Sequence, residues 1–232
     1  MGAFVEQTLD LRPPGNMRER AYDSFMRRLL AQEIRAGQFV TQHQLVAITG
    51  MPLGAIRELV PRLEAEGLLR TMPQRGMQIA HVDIKLIRDA FQFRAFLENG
   101  AVAEFARKAP RELVVRLIER HQDIIDRCVA VHIDSEAAEE LISAAQDIDW
   151  ALHAAIIDFL DNAIISEAYR VNSIKIRLIR QQQTTLSKAT VLPTMEDHMA
   201  ILSAITNRDA AAAVAAMENH IMNARRRAME IR

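Results

Sequence analysis

A mainly α protein in two parts, a small head with one β-hairpin and a larger all-helical antiparallel bundle, is the fold this sequence predicts. Three observations carry the prediction. The 232 residues are 50% hydrophobic and 25% charged, enough apolar material for one or two buried cores. Aromatics make up only 5%, with eight Gly and seven Pro, while Ala, Leu, Ile, Arg, Glu and Met abound, which is the balance of a helical protein. Strand signals fall only within residues 68–80, and elsewhere apolar residues recur at helical spacing.

Residues 1–16 close on Arg12-Pro13-Pro14-Gly15-Asn16, a loop signal that predicts a loosely held segment. A first helix begins near Met17, carries Tyr22, Phe25, Met26, Leu29, Leu30 and Ile34 at helical spacing, and is expected to stop at Gly37. A short second helix over 42–49 ends in Gly50. After the Met51-Pro52-Leu53-Gly54 turn, a third presents Ile56, Leu59, Val60, Leu63 and Leu68, with Pro61 expected to bend it. Two apolar runs, 68–72 and 77–80, flank Pro73-Gln74-Arg75-Gly76 and read as a hairpin. Three helices followed by a hairpin is the order of a winged helix-turn-helix, spanning 17–82.

From 83 to 232 six helical segments follow, at 83–107, 110–131, 135–160, 162–187, 193–206 and 208–230. Their breaks are Pro110, Asp134-Ser135, Asp161-Asn162, Pro193 and Asn207-Arg208-Asp209. Each has an apolar stripe, so they pack as an antiparallel bundle.

Net charge is −1, which argues against indiscriminate coating of nucleic acid. Residues 1–82 hold ten Lys+Arg against eight Asp+Glu, and residues 83–232 hold nineteen against twenty-two, compatible with a DNA-reading head on an acidic body. Cys128, the lone cysteine, excludes a disulfide framework within the chain and reads as a small buried residue in an apolar run. No stretch reaches the ~18 apolar residues of a membrane span. The first fifteen residues carry Glu6 and Asp10 where a signal peptide would be basic and then apolar, so the expected location is the cytoplasm.

The chemistry-bearing residues lie in the bundle. Asp149 and His153, four apart, turn through about 400° along a helix and so share a face about 40° wide. His198 and His220 fall in the last two helical segments. A carboxylate and three imidazoles suffice to hold a divalent metal, although a single His on an apolar face is usually a core residue.

The head resembles the GntR superfamily of bacterial regulators, and the whole of 18–230 resembles its FadR-like branch, whose effector domain is the helical FCD bundle. The helix-turn-helix of that family reads Gly-Val-Ser-Arg-Thr-Pro-Val-Arg-Glu-Ala-Leu, against which this chain has Gly50-Met51-Pro52-Leu53-Gly54-Ala55-Ile56-Arg57-Glu58-Leu59-Val60. Arg57, Glu58 and the apolar frame match, as do Leu63-Glu64-Ala65-Glu66-Gly67-Leu68 and the Arg75-Gly76 of the wing. Pro52, Leu53 and Gly54 replace the Ser, Arg and Thr donors, so sequence readout must differ. By position, the resemblance implies His43, Arg57, Arg75 and the backbone of Gly76 as DNA contacts, with Gly54 letting the backbone come close. For Arg57 the alternative is a surface pair with Glu58 or Glu64.

In the bundle, the resemblance implies a metal site of Asp149, His153, His198 and His220 tying three helices together, with zinc first and nickel, manganese or iron as other choices. Arg94, in Phe93-Arg94-Ala95-Phe96-Leu97-Glu98, is similar to the family's cavity arginine, with a structural pair to Glu98 as its alternative; Asn172 is a second effector candidate. Trp150 reads as packing and Arg225-Arg226-Arg227 as a solvated helix end. The function implied is a homodimeric, non-enzymatic transcription regulator that binds a palindromic operator and is controlled by a small organic acid at or near the metal. The alternatives are a metalloenzyme on the Asp/His3 site, for which only Glu196 is near in sequence as a base, and a repressor with a purely structural metal.

Overall fold

The computed structural model describes residues 16–130, 136–183 and 188–230 and divides into two compact units, one through Leu86 and one from Ile87. The loop expected over 1–16, apart from Asn16, and the break at Asp134-Ser135 lie outside the described residues.

In the first unit the order is α1 (Met17–Leu30), β1 (Phe39–Val40), α2 (Gln42–Thr49), α3 (Leu53–Ala65), β2 (Leu69–Met72) and β3 (Gly76–Ile79). The Asn16 side chain caps α1 by accepting from the amides of Arg18 and Glu19, both at 3.1 Å. α1 stops at Leu30, short of the expected Gly37. The amides of Glu33 and Ile34 turn back onto the Arg28 carbonyl, so Ile34 enters the core from a loop. Its spacing matched a helix, and its burial has another cause.

A reciprocal pair of side-chain bonds between Thr41 and Gln44 starts α2, and Gly50 ends it at φ +69°. α3 starts at Pro52 without a side-chain cap, accommodates Pro61, and ends before Leu68, which is nevertheless fully buried. The hairpin pairs Leu69 with Ile79 and Met72 with Gly76, and β1 adds a third antiparallel strand that pairs Phe39 with Gln78. Two residues are too few to show alternation, which is why the sequence did not reveal β1. Phe25, Leu29, Ile34, Leu45, Ile56, Leu59 and Leu63 form the core between helices and sheet.

The second unit takes in α4 (Ile84–Lys108) from Ile87 onward, then α5 (Arg111–Ala130), α6 (Glu136–Asp158), α7 (Ala163–Gln183), α8 (Lys188–Thr206) and α9 (Ala210–Met229). Side chains of Asp83, Asn162 and Asp209 cap α4, α7 and α9. One boundary differs from expectation: α8 starts at Lys188 and runs through Pro193. That proline is exposed near the start of the helix, and Ala189, whose carbonyl loses its partner, is an exposed residue as well. α8 packs against α5, α6 and α9. Ile124, Leu141, Ala145, Val191 and Met195 build one part of the core, with Cys128 half-buried against it; burial pushes that thiol pKa up. Phe105 meets Phe159 edge-on with ring centroids 5.1 Å apart. Among the described residues no helix is long and apolar enough to cross a membrane.

Candidate metal centre

α6 presents Asp149 and His153 on one face, α8 brings His198 and α9 brings His220. One ligand atom from each lies within 4.8 Å of every other, and all four residues are fully buried. The rings crowd together, His198 to His220 at 4.6 Å and His153 to His220 at 5.0 Å between centroids.

Their partners fix which nitrogen of each ring is bare. The Leu117 carbonyl can only accept, so His121 Nδ1, 2.6 Å away, must donate to it. A neutral His121 then accepts at Nε2, so His198 Nδ1 at 3.1 Å is the donor. His198 Nε2 is left as a lone pair, buried and without a hydrogen-bond partner, 3.3 Å from Asp149 Oδ1. Two buried acceptors facing each other is an arrangement that a cation relieves.

An Arg94 terminal nitrogen, a donor only, sits 2.6 Å from His153 Nε2, so the proton is on Nδ1. That Nδ1 lies 2.8 Å from Glu98 Oε2, close enough for strong attraction but off the line of a good hydrogen bond. His220 repeats the theme, with Nε2 3.5 Å from Arg94 and Nδ1 3.6 Å from Asp197 Oδ2. All three imidazoles therefore turn Nε2 inward and Nδ1 toward an outer acceptor, which is how metal-binding histidines are usually oriented.

Electrostatics agree. Burial pulls the His198, His220 and His121 pKa values down to about 4, overriding Asp149, Asp197 and the Leu117 carbonyl, and it lowers that of His153 as well. The rings are neutral at pH 7, the ligating form. Burial opposes ionisation of Asp149, but the Arg180 guanidinium bonded to its Oδ2 holds its pKa well below the usual range. Desolvation likewise disfavours the Glu98 anion, yet Arg94 Nε at 2.7 Å and the Tyr169 hydroxyl at 2.8 Å keep it charged. Three neutral nitrogens and one carboxylate oxygen, dry and convergent, fit zinc, nickel, manganese or iron(II).

Beside these ligands opens a cleft whose non-atom space, solvent mouth included, is about 390 Å³. Arg94, Asp149, Arg180, Thr194, His220 and Arg227 line it. Arg94 thus both pairs with Glu98 and faces a cavity. Asn172 is not brought into the lining; its Nδ2 donates to the Ala90 carbonyl at 3.0 Å and ties α7 to α4. Glu196 is exposed, leaving the metalloenzyme reading without its base. Trp150 lies under the guanidiniums of Arg177 and Arg180, at 4.6 and 4.9 Å.

In the first unit, His43 is exposed on the first turn of α2, and Gly54 and Arg57 are exposed on α3. Arg75 is exposed at the hairpin tip, and Gly76 opens β3. Among the described residues Arg57 makes no ion pair, and Glu64 instead accepts the Thr71 amide at 2.8 Å.

Several contributors escaped sequence reading. His121 sits in the stripe Val114, Leu117, His121, Ile124, where its spacing alone marked it as buried. Arg227 departs from the solvated end expected of Arg225-Arg226-Arg227: it is half-buried and donates to Thr194 Oγ1 at 3.4 Å. Consecutive helical residues point about 100° apart, and seven residues bring Arg227 back to the face of His220.

Residues 89–223 match the FCD domain. Over 206 residues the chain is 20% identical to LgoR of Escherichia coli K12, described as an HTH-type transcriptional regulator. That match spans 87% of this chain and 64% of LgoR, so less than two thirds of that relative is represented. Among solved structures, a GntR transcriptional regulator from Rhodococcus sp. RHA1 superposes with TM-score 0.73 at 16% identity, over 94% of this chain and all of that one. E. coli McbR/YncC superposes with TM-score 0.68 at 14% identity, over 90% and 95% respectively. At such identities these structures speak to the fold.

Proposed function

The chain belongs to the FCD domain family, and from that premise we propose that it is a DNA-binding transcription regulator controlled by a small carboxylate effector at or near a divalent metal in the helical unit. One observation carries the proposal: three buried Nε2 lone pairs and the Asp149 carboxylate converge beside an arginine-lined cleft, in a chain that also holds a winged helix-turn-helix.

Asp149, His153, His198 and His220 would hold the metal, zinc being the first choice, and the metal would supply a Lewis-acidic position for a carboxylate. Glu98, His121 and Asp197 keep the ring nitrogens turned inward, while Arg180 orients Asp149. The His153 Nε2 lone pair can serve Arg94 or a cation but not both. In the metal-loaded protein the Arg94 donor is therefore available to an acid in the cleft. Asn172 acts behind it by holding α4 against α7.

On the DNA side, Arg57 and Arg75 supply exposed guanidiniums, His43 a ring at the start of α2, and Gly54 and Gly76 close backbone approach. The uncapped start of α3 leaves backbone amides for phosphate. A homodimer in the cytoplasm would read a palindromic operator, and the effector would act by preferring one of the chain's arrangements. A purely structural metal is the second reading, favoured by the full burial of all four ligands.

The test is metal content. Replacing His153 and His198 together with Ala abolishes stoichiometric zinc, and undiminished zinc by elemental analysis overturns the site. Chelation separates the two roles, since a structural metal costs mainly stability and a sensing metal mainly affinity for an acid. For the head, Arg57→Ala weakens operator binding and flattens its salt dependence; an unchanged affinity from low to high salt removes Arg57 from the interface.

A further inference from the structure

The charges around the cleft do not balance once a divalent cation is present. Asp149, Glu98 and Asp197 match the guanidiniums of Arg94, Arg180 and Arg227 one for one, and Arg177 faces Asp147. An imidazole that gives its lone pair to a cation is neutral, so a metal bound among these buried rings leaves two positive charges uncompensated.

The donors facing the cleft also form two groups. One is Arg94 with the inward-facing ligands Asp149 and His220. The other is Arg227, oriented by its bond to Thr194 Oγ1, whose own hydroxyl proton goes to the Thr190 carbonyl at 2.7 Å. Arg227 retains donors that the structure does not assign to a partner, with Asp197 near enough to favour its charge. Arg180 belongs to both groups, since it bonds Asp149 and lines the same cleft.

Resting on the regulator reading above, we propose that the effector is a small organic dianion: one carboxylate at the Asp149/His153/His198/His220 centre beside Arg94, and a second anionic group on Arg227. A monocarboxylate would offset only one of the metal's two charges and would leave the remaining Arg227 donors without an acceptor.

The test uses the full-length, zinc-loaded chain and calorimetric titration with acetate, malonate and phosphoglycolate, at concentrations that elemental analysis shows to leave zinc in place. Malonate or phosphoglycolate should bind at least about tenfold more tightly than acetate, the scale of one added charge-assisted contact. Malonate is a dianion and phosphoglycolate carries a carboxylate plus a phosphate of up to about two charges, and whichever binds tighter tells whether the second group is carboxylate or phosphate. In Arg227→Gln the ratio of dianion to acetate affinity should fall to about one. Should that variant not fold, Thr194→Val, which keeps shape and removes the orienting oxygen, should lower the same ratio. Equal affinities for acetate and both dianions in the parent chain would overturn the inference and leave the regulator reading intact. A ratio untouched by both variants would also overturn it. Failure of all three acids to bind would sink the regulator reading as well.

Discussion

Among single residues, His121 has the most to explain. It is buried, lies outside the ligand set, and makes two hydrogen bonds whose directions are dictated by the Leu117 carbonyl. That carbonyl reaches through His121 to decide that His198 keeps its proton on Nδ1 and offers Nε2. His153 and His220 face carboxylates in the equivalent place, so the site combines two charged outer acceptors and one neutral one. Replacing His121 with Leu should cost about 10–100-fold in zinc affinity, measured by competition with a chromophoric chelator. His121→Gln, whose amide oxygen can accept from His198, should recover part of the loss, and nitrogen NMR should show His198 protonated on Nδ1 in the parent chain. Parent-like zinc affinity in the Leu variant, with His198 unchanged in tautomer, would remove His121 from this role. The ligands themselves were legible because Asp149 and His153 share one helical face. The outer acceptors were not, because Glu98 and His121 stand far from the ligands in the sequence and Asp197, although beside His198, serves His220 of another helix, so each pairing forms only on folding.

Elements were legible where local chemistry sets them and misread where tertiary packing does. The reciprocal Thr41/Gln44 cap and Gly50 bound α2 where its sequence signals lie. The Arg75-Gly76 turn closes the hairpin in the same way. The helical spacing of Ile34 predicts a longer α1 than forms, because that residue enters the core from a loop, and Pro193 predicts a later start for α8 than the structure has. β1 was invisible, yet it explains why a glycine stands at 76. Gly76 has φ +82°, and a Cβ there would lie 2.8 Å from the Val40 carbonyl oxygen of β1, a contact with rigid backbone. Gly76→Ala should therefore destabilise the first unit by about 1–3 kcal/mol through backbone strain and loss of the β1 pairing. Unfolding followed by circular dichroism should show the loss. A transition coincident with the parent's would mean that β1 yields to the methyl group at little cost.

Across the whole molecule, two compact units with different chemistry should respond differently to proton and metal. The chain's lone tryptophan, Trp150, lies in α6 beside Asp149, so its fluorescence reports on the helical unit. His121, His198 and His220 hold pKa values of about 4 when folded, against 6.5 for the ordinary side chain. Between those values the unfolded chain binds more protons than the folded one, so stability falls as pH drops from 6.5 toward 4, by up to about 1.4 kcal/mol per pH unit for each ring. Above pH 6.5 these rings are neutral in both states and the contribution is flat. Asp149 and Glu98 carry the opposite charge and lowered pKa values, so their stabilising share is present above the ordinary carboxylate pKa and is lost only at more acid pH, in a separate window. Metal steepens the first window, because a cation bound by neutral rings stabilises the folded state in proportion to the logarithm of its concentration over Kd and is displaced by protons. The urea midpoint read by Trp150 should thus be lower at pH 5 than at pH 7 in chelator, and the gap should widen with excess zinc. Equal midpoints in chelator at the two pH values would show that the rings are not held neutral in the fold, and with that the reason for placing a cation among them would be lost.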